Sequence, residues 1–302
     1  MNTLQITTGF KKEMWEFKKT LVWVPIIIAS LMIIAPLLQL MLLEQYQSNN
    51  IMEVLSQIAN AEETPYFAKM AQGAISAMFM PFLMVSLLIQ LYYFNSCLFD
   101  ERRDLSVLFW RSLPVSDAQS IAIKLATGAL VIPAIFMLAA TMVLVVAIVV
   151  LLIACTILAT SFDISLWHLW SQAEILSTLT AFWLNLLPYS LWLFPVFAWI
   201  MLTSVFASKA PILWAILPIA IVLLVEAFVV AYFQLNTRFF ANILVEYMQF
   251  SVDMFPRNAH DSGSHKFILF SVLSEKISVV ATLFGAGLMY ATYWLRVNRS
   301  HS

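Results

Sequence analysis

Charge is what this chain has least of. Asp, Glu, Lys and Arg make up 11% of its 302 residues, where a soluble domain carries about a quarter. That shortage excludes an ordinary soluble fold. The net charge of −1 leaves no basic surface for nucleic acid. Glycine is scarce as well. There are six, none followed by lysine, so a Walker phosphate-binding loop cannot occur and the chain has no nucleotide site of its own. The zinc-protease pattern His-Glu-x-x-His is missing, and Ser262 in DSGSH lacks the flanking glycines of a nucleophile elbow. The four histidines are scattered outside the apolar runs. His260, Asp261 and His265 share one loop but define no metal geometry, and read as a solvated turn. No catalytic residue, metal site or cofactor is expected. Of the two cysteines, Cys97 and Cys155, each reads as a small packing residue. A disulfide between them is not expected, because the topology below puts them near opposite membrane faces.

What the chain has in abundance is long apolar stretches. Hydrophobic residues make up 62% and the mean hydropathy is +0.88. Six runs are long enough to cross a bilayer, at about 21–43, 74–99, 121–160, 178–207, 210–235 and 269–297. They are continuous rather than alternating, which excludes a membrane β-barrel. The fold class expected is an all-α polytopic membrane protein, residues 1–302 forming one transmembrane domain of six helices. The first run is of full spanning length with no small-residue cleavage motif after it, so no cleavable signal peptide is expected. The third run exceeds one straight span. Ser116-Asp117-Ala118-Gln119 has the Ser-x-x-Gln form of a capping box, so this helix is read as starting in water before it crosses, with a bend at Pro133.

Lysine and arginine set the orientation. With the N-terminus in the cytoplasm, the inner set is Lys11, Lys12, Lys18, Lys19, Arg102, Arg103, Arg111, Lys124, Lys209, Arg296 and Arg299. The outer set is Lys69, Arg238, Arg257 and Lys266, and Lys276 lies inside the start of the sixth run. The bias puts both termini in the cytoplasm. Before the first span, Phe10, Met14, Phe17 and Leu21 recur at helical spacing among Lys11, Lys12, Lys18 and Lys19. That pattern predicts an amphipathic interfacial helix over 7–20, resting on membrane lipids. It is equally a positive-inside anchor for the first span, and the two are compatible. On the outer side, Ile51, Val54, Leu55 and Ile58 form a helical stripe, Leu166, Trp167 and Trp170 suit an aromatic belt, and the segment 236–267 is expected to dip along the interface.

One carboxylate falls near the middle of a span. Glu226, in PIAIVLLVEAFVVAYF, is costly in hydrocarbon and must face the bundle or a wet cavity. It is a candidate for the substrate pathway, as a substrate contact, a proton-titrating site or a gating hydrogen bond. The plainer reading is a protonated glutamate tying two helices together. Gly285 and Gly287 read as close helix packing. Pro188, Pro195 and Pro218 can free backbone carbonyls inside the bundle.

The densest polar stretch, ERRDLSVLFWRSLPVSD, separates the second and third runs. Glu101, Arg102, Arg103, Asp104, Arg111 and Asp117 alternate with Leu105, Val107, Leu108, Phe109 and Trp110, and Leu113-Pro114-Val115 makes a turn before Ser116. Interleaved charges and aromatics suit docking to another protein, with Phe109, Trp110 and Arg111 as the anchors. A loop that merely snorkels at the headgroups is the simpler alternative.

The stretch YYFNSCLFDERRDLSVLFWRSLPVSDAQSIAIKL resembles the signature region of permease subunits of the type 2 class of ATP-binding cassette (ABC) transporters. The resemblance extends at the level of topology to the N-terminal amphipathic helix, the six spans and the inward termini. It implies a type 2 ABC exporter-like fold in the inner or plasma membrane of a bacterium. It implies a cytoplasmic ABC ATPase subunit as partner, which binds and hydrolyses the ATP, and a second permease copy or a related permease. The chain itself would be no enzyme. By the same resemblance the 100–120 segment is the coupling loop, with Glu101, Arg102, Arg103, Arg111, Ser112, Leu113, Pro114, Ser116 and Asp117 as its candidates. Export of a substrate would follow from the resemblance, and the apolar bundle with few charges is what hints at a lipid-like or amphipathic one. The loop before the sixth span is longer than a minimal member of that family needs. A gradient-driven transporter or channel, and a membrane-embedded enzyme, are the competing readings. The first predicts more intramembrane ionisable groups or inverted repeats, and the second a convergent polar cluster.

Overall fold

The computed structural model describes residues 3–42, 65–104, 116–162, 166–167, 170, 173–235, 237–248 and 273–298. Among these residues the elements are helical, with no strand. In chain order they are α1 (Thr3–Glu16), α2 (Lys18–Met41), α3 (Pro65–Ser96), α4 (Phe99–Arg103), α5 (Asp117–Ala126), a π-turn (Thr127–Val131), α6 (Ile132–Ser161), α7 (Ile175–Phe206), α8 (Pro211–Phe233), α9 (Phe239–Met248) and α10 (Val279–Asn298). Among the described residues, five helical stretches are long and apolar enough to cross a membrane: Lys18–Gln39, Met70–Arg103, Asp117–Ser161, Ile175–Phe206 and Pro211–Phe233. The chain is thus an all-α polytopic membrane protein. The run expected at 269–297 appears as α10, which is helical over 20 residues but is not one of those five.

Local chemistry sets the helix ends. The Ser116 hydroxyl accepts the Gln119 amide at 3.2 Å and starts α5, the cap that the sequence signals. Pro211 opens α8 at a position where a missing N–H costs nothing. The preceding Ala210 is forced into the left-handed region at φ 47°, so the α7–α8 turn is a strained, tight reversal. Trp199 Nε1 on α7 donates to the Ala215 carbonyl on α8 at 3.0 Å and closes that hairpin.

The chain divides into two compact units. One holds residues 15–87 and 132–183. In it α2 packs along α6, and Phe79 on α3 stacks on Phe182 on α7 with ring centroids 4.5 Å apart. The other holds residues 1–14, 88–131 and 184–302. Its core is Phe94 stacked on Phe197 at 4.6 Å, and a side chain at Gly128 would collide with that Phe94 ring. Gly285 also marks a close approach. A Cβ there would lie 2.8 Å from the Phe194 ring and 3.1 Å from the Pro195 backbone. A Cβ at Gly287 would meet nothing within 4 Å among the described residues. Elsewhere large apolar side chains such as Leu213, Leu224, Val225 and Phe228 on α8 stand exposed, as a hydrocarbon solvent allows.

Candidate functional site

Charged residues far apart in sequence converge at one end of the second unit. Glu101, on α4, is the hub. Its Oε1 accepts from Lys12 Nζ on α1 at 2.8 Å and lies 3.0 Å from Lys124 Nζ on α5. Its Oε2 accepts from Arg296 Nη2 on α10 at 3.2 Å. Lys124 also donates to Glu13 Oε1 at 2.8 Å, and the other Glu13 oxygen accepts from the Tyr93 hydroxyl at 2.8 Å. Arg296 reaches further, with Nε 3.0 Å from Asp117 Oδ1 and Nη2 3.4 Å from the Ser120 hydroxyl.

Among the described residues, three cations (Lys12, Lys124, Arg296) face three anions (Glu13, Glu101, Asp117), so their charges balance. The cluster is also deep. The side chains of Lys124, Glu13 and Glu101 are 1%, 3% and 7% exposed. Isolated charges at that burial cost several kcal/mol each, and the arrangement survives because each charge is both paired and hydrogen-bonded. Attraction in such a weakly screened site outlasts changes in salt that would erase a surface pair.

The consequence is mechanical. One guanidinium bonds Glu101, just before the 105–115 segment, and Asp117, just after it. The planar fork of arginine permits this, while a lysine ammonium offers only one point of charge. Both stems of the predicted coupling loop are therefore fixed to the end of α10 and, through Lys12 and Lys124, to α1 and α5.

Arg102 makes a second attachment. Its Nη1 donates to the Val205 carbonyl at 2.5 Å and its Nη2 to the Ala207 carbonyl. A cation on the last carbonyls of α7 satisfies acceptors the helix cannot fill and complements its dipole. The Phe99 amide donates to Ser204 Oγ at 2.9 Å in the same place. Arg103 faces the other way. Its side chain is 61% exposed and pairs only with its neighbours Asp100 and Asp104, an arrangement worth little in water. Among the described members of the predicted set, Glu101, Arg102 and Asp117 bond to other helices, Ser116 caps α5, and Arg103 faces outward. Phe109, Trp110, Arg111, Ser112, Leu113 and Pro114 lie outside the described residues, as do His260, Asp261 and His265.

Lys12, Glu13, Tyr93, Lys124 and Arg296 were not singled out by the sequence pattern. On α1 the deeply buried residue is Glu13, while Met14 of the expected apolar stripe is 41% exposed. The only signal available was a charge embedded in apolar surroundings, as for Lys124 in SIAIKLATGA.

Glu226 has a defined place. Its Oε1 and Oε2 accept from the successive backbone amides of Phe240 and Ala241, at 2.5 and 2.8 Å. It caps the N-terminus of α9 from the neighbouring span, where an acidic group also meets the positive end of the helix dipole. The other end of α9 is tied to α7: the Tyr247 hydroxyl donates to the Trp192 carbonyl, and Trp192 Nε1 donates to the Tyr247 carbonyl at 3.3 Å. Glu226 and Trp192 each lie about 21–23 Å along their helices from the α7–α8 turn, at 1.5 Å per residue. The segment expected to dip along the outer interface therefore contains a short helix laid across the two spans. The carboxyl joins α8 to the start of α9 through two accepting oxygens. Glutamine has only one, so it is no silent replacement here.

Cys97 and Cys155 are both buried and free. Among the described residues no group of three His, Cys, Asp or Glu side chains is placed to hold a metal. No family model, curated protein or solved structure matches the chain.

Proposed function

We propose that the chain is the membrane-spanning permease subunit of an ABC transporter of the type 2 class, with six spans and both termini in the cytoplasm. It moves a substrate outward, lipid-like or amphipathic, using ATP hydrolysed by a separate cytoplasmic subunit, and acts as a homodimer or beside a second permease. The observation that carries this reading is the double hold of Arg296 on Glu101 and Asp117. A loop that only rested on lipid headgroups has no need of stems anchored in a buried six-charge cluster. A loop that receives force from a motor does, because force on a loose loop is lost before it reaches the helices. The placement of Lys12, Glu101, Asp117 and Arg296 at one end of the unit agrees with the lysine and arginine bias that assigns all four to the cytoplasm. Glu226, committed to two backbone amides, weighs against the gradient-driven alternative, which needs that carboxylate for transport.

The test is co-purification of the ATPase with permease carrying Trp110→Ala or Arg111→Ala, with membrane insertion as control. Interface energy concentrates in aromatic and arginine anchors, so each variant is expected to lose at least 2 kcal/mol of binding, roughly thirtyfold. Full retention of the ATPase in both variants rejects docking through this loop.

A further inference from the structure

Between α5 and α6 the third span loosens into the π-turn Thr127–Val131. The reason lies two residues on, at Pro133, which has no N–H to give. At α-helical spacing that N–H would serve the Ala129 carbonyl, and at π spacing the Gly128 carbonyl. An acceptor left bare inside a membrane span is strongly disfavoured. Two neighbouring helices supply the missing donors. Gln90 Nε2 on α3 donates to the Gly128 carbonyl at 2.9 Å, and the Tyr189 hydroxyl on α7 donates to Gln90 Oε1 at 2.8 Å, which fixes the way the amide faces. The Ser190 hydroxyl lies 2.7 Å from the Ala129 carbonyl and 2.8 Å from the Leu186 carbonyl of its own helix. Its single proton can serve either one. Gln90 is fully buried and Ser190 nearly so.

These bonds adjoin the ion cluster, since Tyr93, one helical turn along α3 from Gln90, donates to Glu13. On the other side of the π-turn, α5 carries Lys124, Ser120 and Asp117 into the cluster. A π-turn holds one residue more than α geometry would. Returning it to α register turns the adjoining helix by about 100°. That rotation takes Lys124 out from between Glu13 and Glu101, and Asp117 away from Arg296.

We propose that Gln90 and Ser190, with Tyr189 orienting the former, are positioning residues that hold this π-turn as a releasable joint. Its release turns α5 and withdraws Lys124 and Asp117 from the cluster. The inference rests on the reading of the 100–120 segment as the ATPase-docking loop and names the route by which its motion enters the span. Ser190 fits the role because it exchanges one acceptor for another without leaving itself unbonded, whereas Gln90 must break its bond to Gly128.

Cys97 is the reporter. It is 4% exposed and lies within electrostatic reach of Lys124, Glu13 and Glu101. In full-length permease bearing Cys155→Ala and purified in detergent, the rate at which a small uncharged maleimide labels Cys97 is measured. The parent is expected to label slowly. Gln90→Leu with Ser190→Ala is expected to label roughly tenfold faster, the scale set by stranding buried acceptors. Pro133→Ala alone, which supplies the N–H that the α register needs at the Ala129 carbonyl and leaves Gln90 and Ser190 in place, should also label faster than the parent. Unchanged labelling in the double variant overturns the proposal. So does a parent rate in Pro133→Ala beside a fast double variant, because lost core packing alone would behave that way. If the double variant does not fold, Tyr189→Phe, which removes one hydroxyl, is read by the same two criteria. The assay contains no ATPase, so failure of docking with Cys97 behaving as expected rejects the transporter reading and leaves the joint standing.

Discussion

Arg296→Ala is expected to destabilise the protein by about 3–5 kcal/mol, the scale for removing one partner of a buried ion pair. The deletion leaves Asp117 without its Arg296 partner and turns a balanced cluster of three cations and three anions into one with excess negative charge. Glu101 keeps Lys12 and Lys124, so the α1 and α5 contacts of the hub survive while its link to α10 is lost. Arg296→Lys should fall between the two, because an ammonium cannot span Glu101 and Asp117 as the fork does. Denaturant unfolding of the purified protein in detergent gives the order wild type, Lys, Ala. An alanine variant as stable as wild type would mean that the cluster contributes nothing to holding the stems.

Lys124→Met is expected to have an effect of similar size, again about 3–5 kcal/mol. Lys124 lies between Glu13 and Glu101, 2.8 and 3.0 Å from their oxygens, and is 1% exposed. Without it Glu13 keeps Lys12 and the Tyr93 hydroxyl, Glu101 keeps Lys12 and Arg296, and the cluster carries one negative charge too many. The diagnostic variant is Lys124→Met with Glu13→Gln, which restores neutrality and keeps an acceptor and a donor at position 13. It should recover part of the lost stability, since replacing both members of a buried pair is far milder than removing one. A double variant that loses the sum of the two single effects would show that charge balance is not what holds the site.

The sequence made five of the six expected spans and the helix start at Ser116 readable, because both follow from local rules: apolar length and a side-chain cap on a nearby amide. The stretch from Glu101 to Asp117 was visible for the same reason, as a dense polar interruption of apolar runs. The partners of its stems were not. Glu101 and Arg296 lie 195 residues apart, and no periodicity encodes that pairing. Lys12 and Lys124 were counted only as inner-side charges, and Glu13 fell on the charged face of an amphipathic pattern, although it packs inward against Tyr93. Pro133 was legible as a disturbance of the third span. Its form, a π-turn, depends on Gln90 and Ser190 from two other helices. Glu226 stood out by its setting, but the amides it caps belong to a segment whose mixed polarity read as interfacial.

The central claim is that the loop held by Arg296 docks on an ATPase. A photo-reactive amino acid placed at position 110 of the full chain, irradiated in intact cells, tests it most directly. The account predicts one dominant protein adduct whose peptides carry a Walker nucleotide-binding loop, much reduced when Arg296→Ala is also present. Adducts to lipid alone, or to a protein with no nucleotide-binding loop, would contradict it.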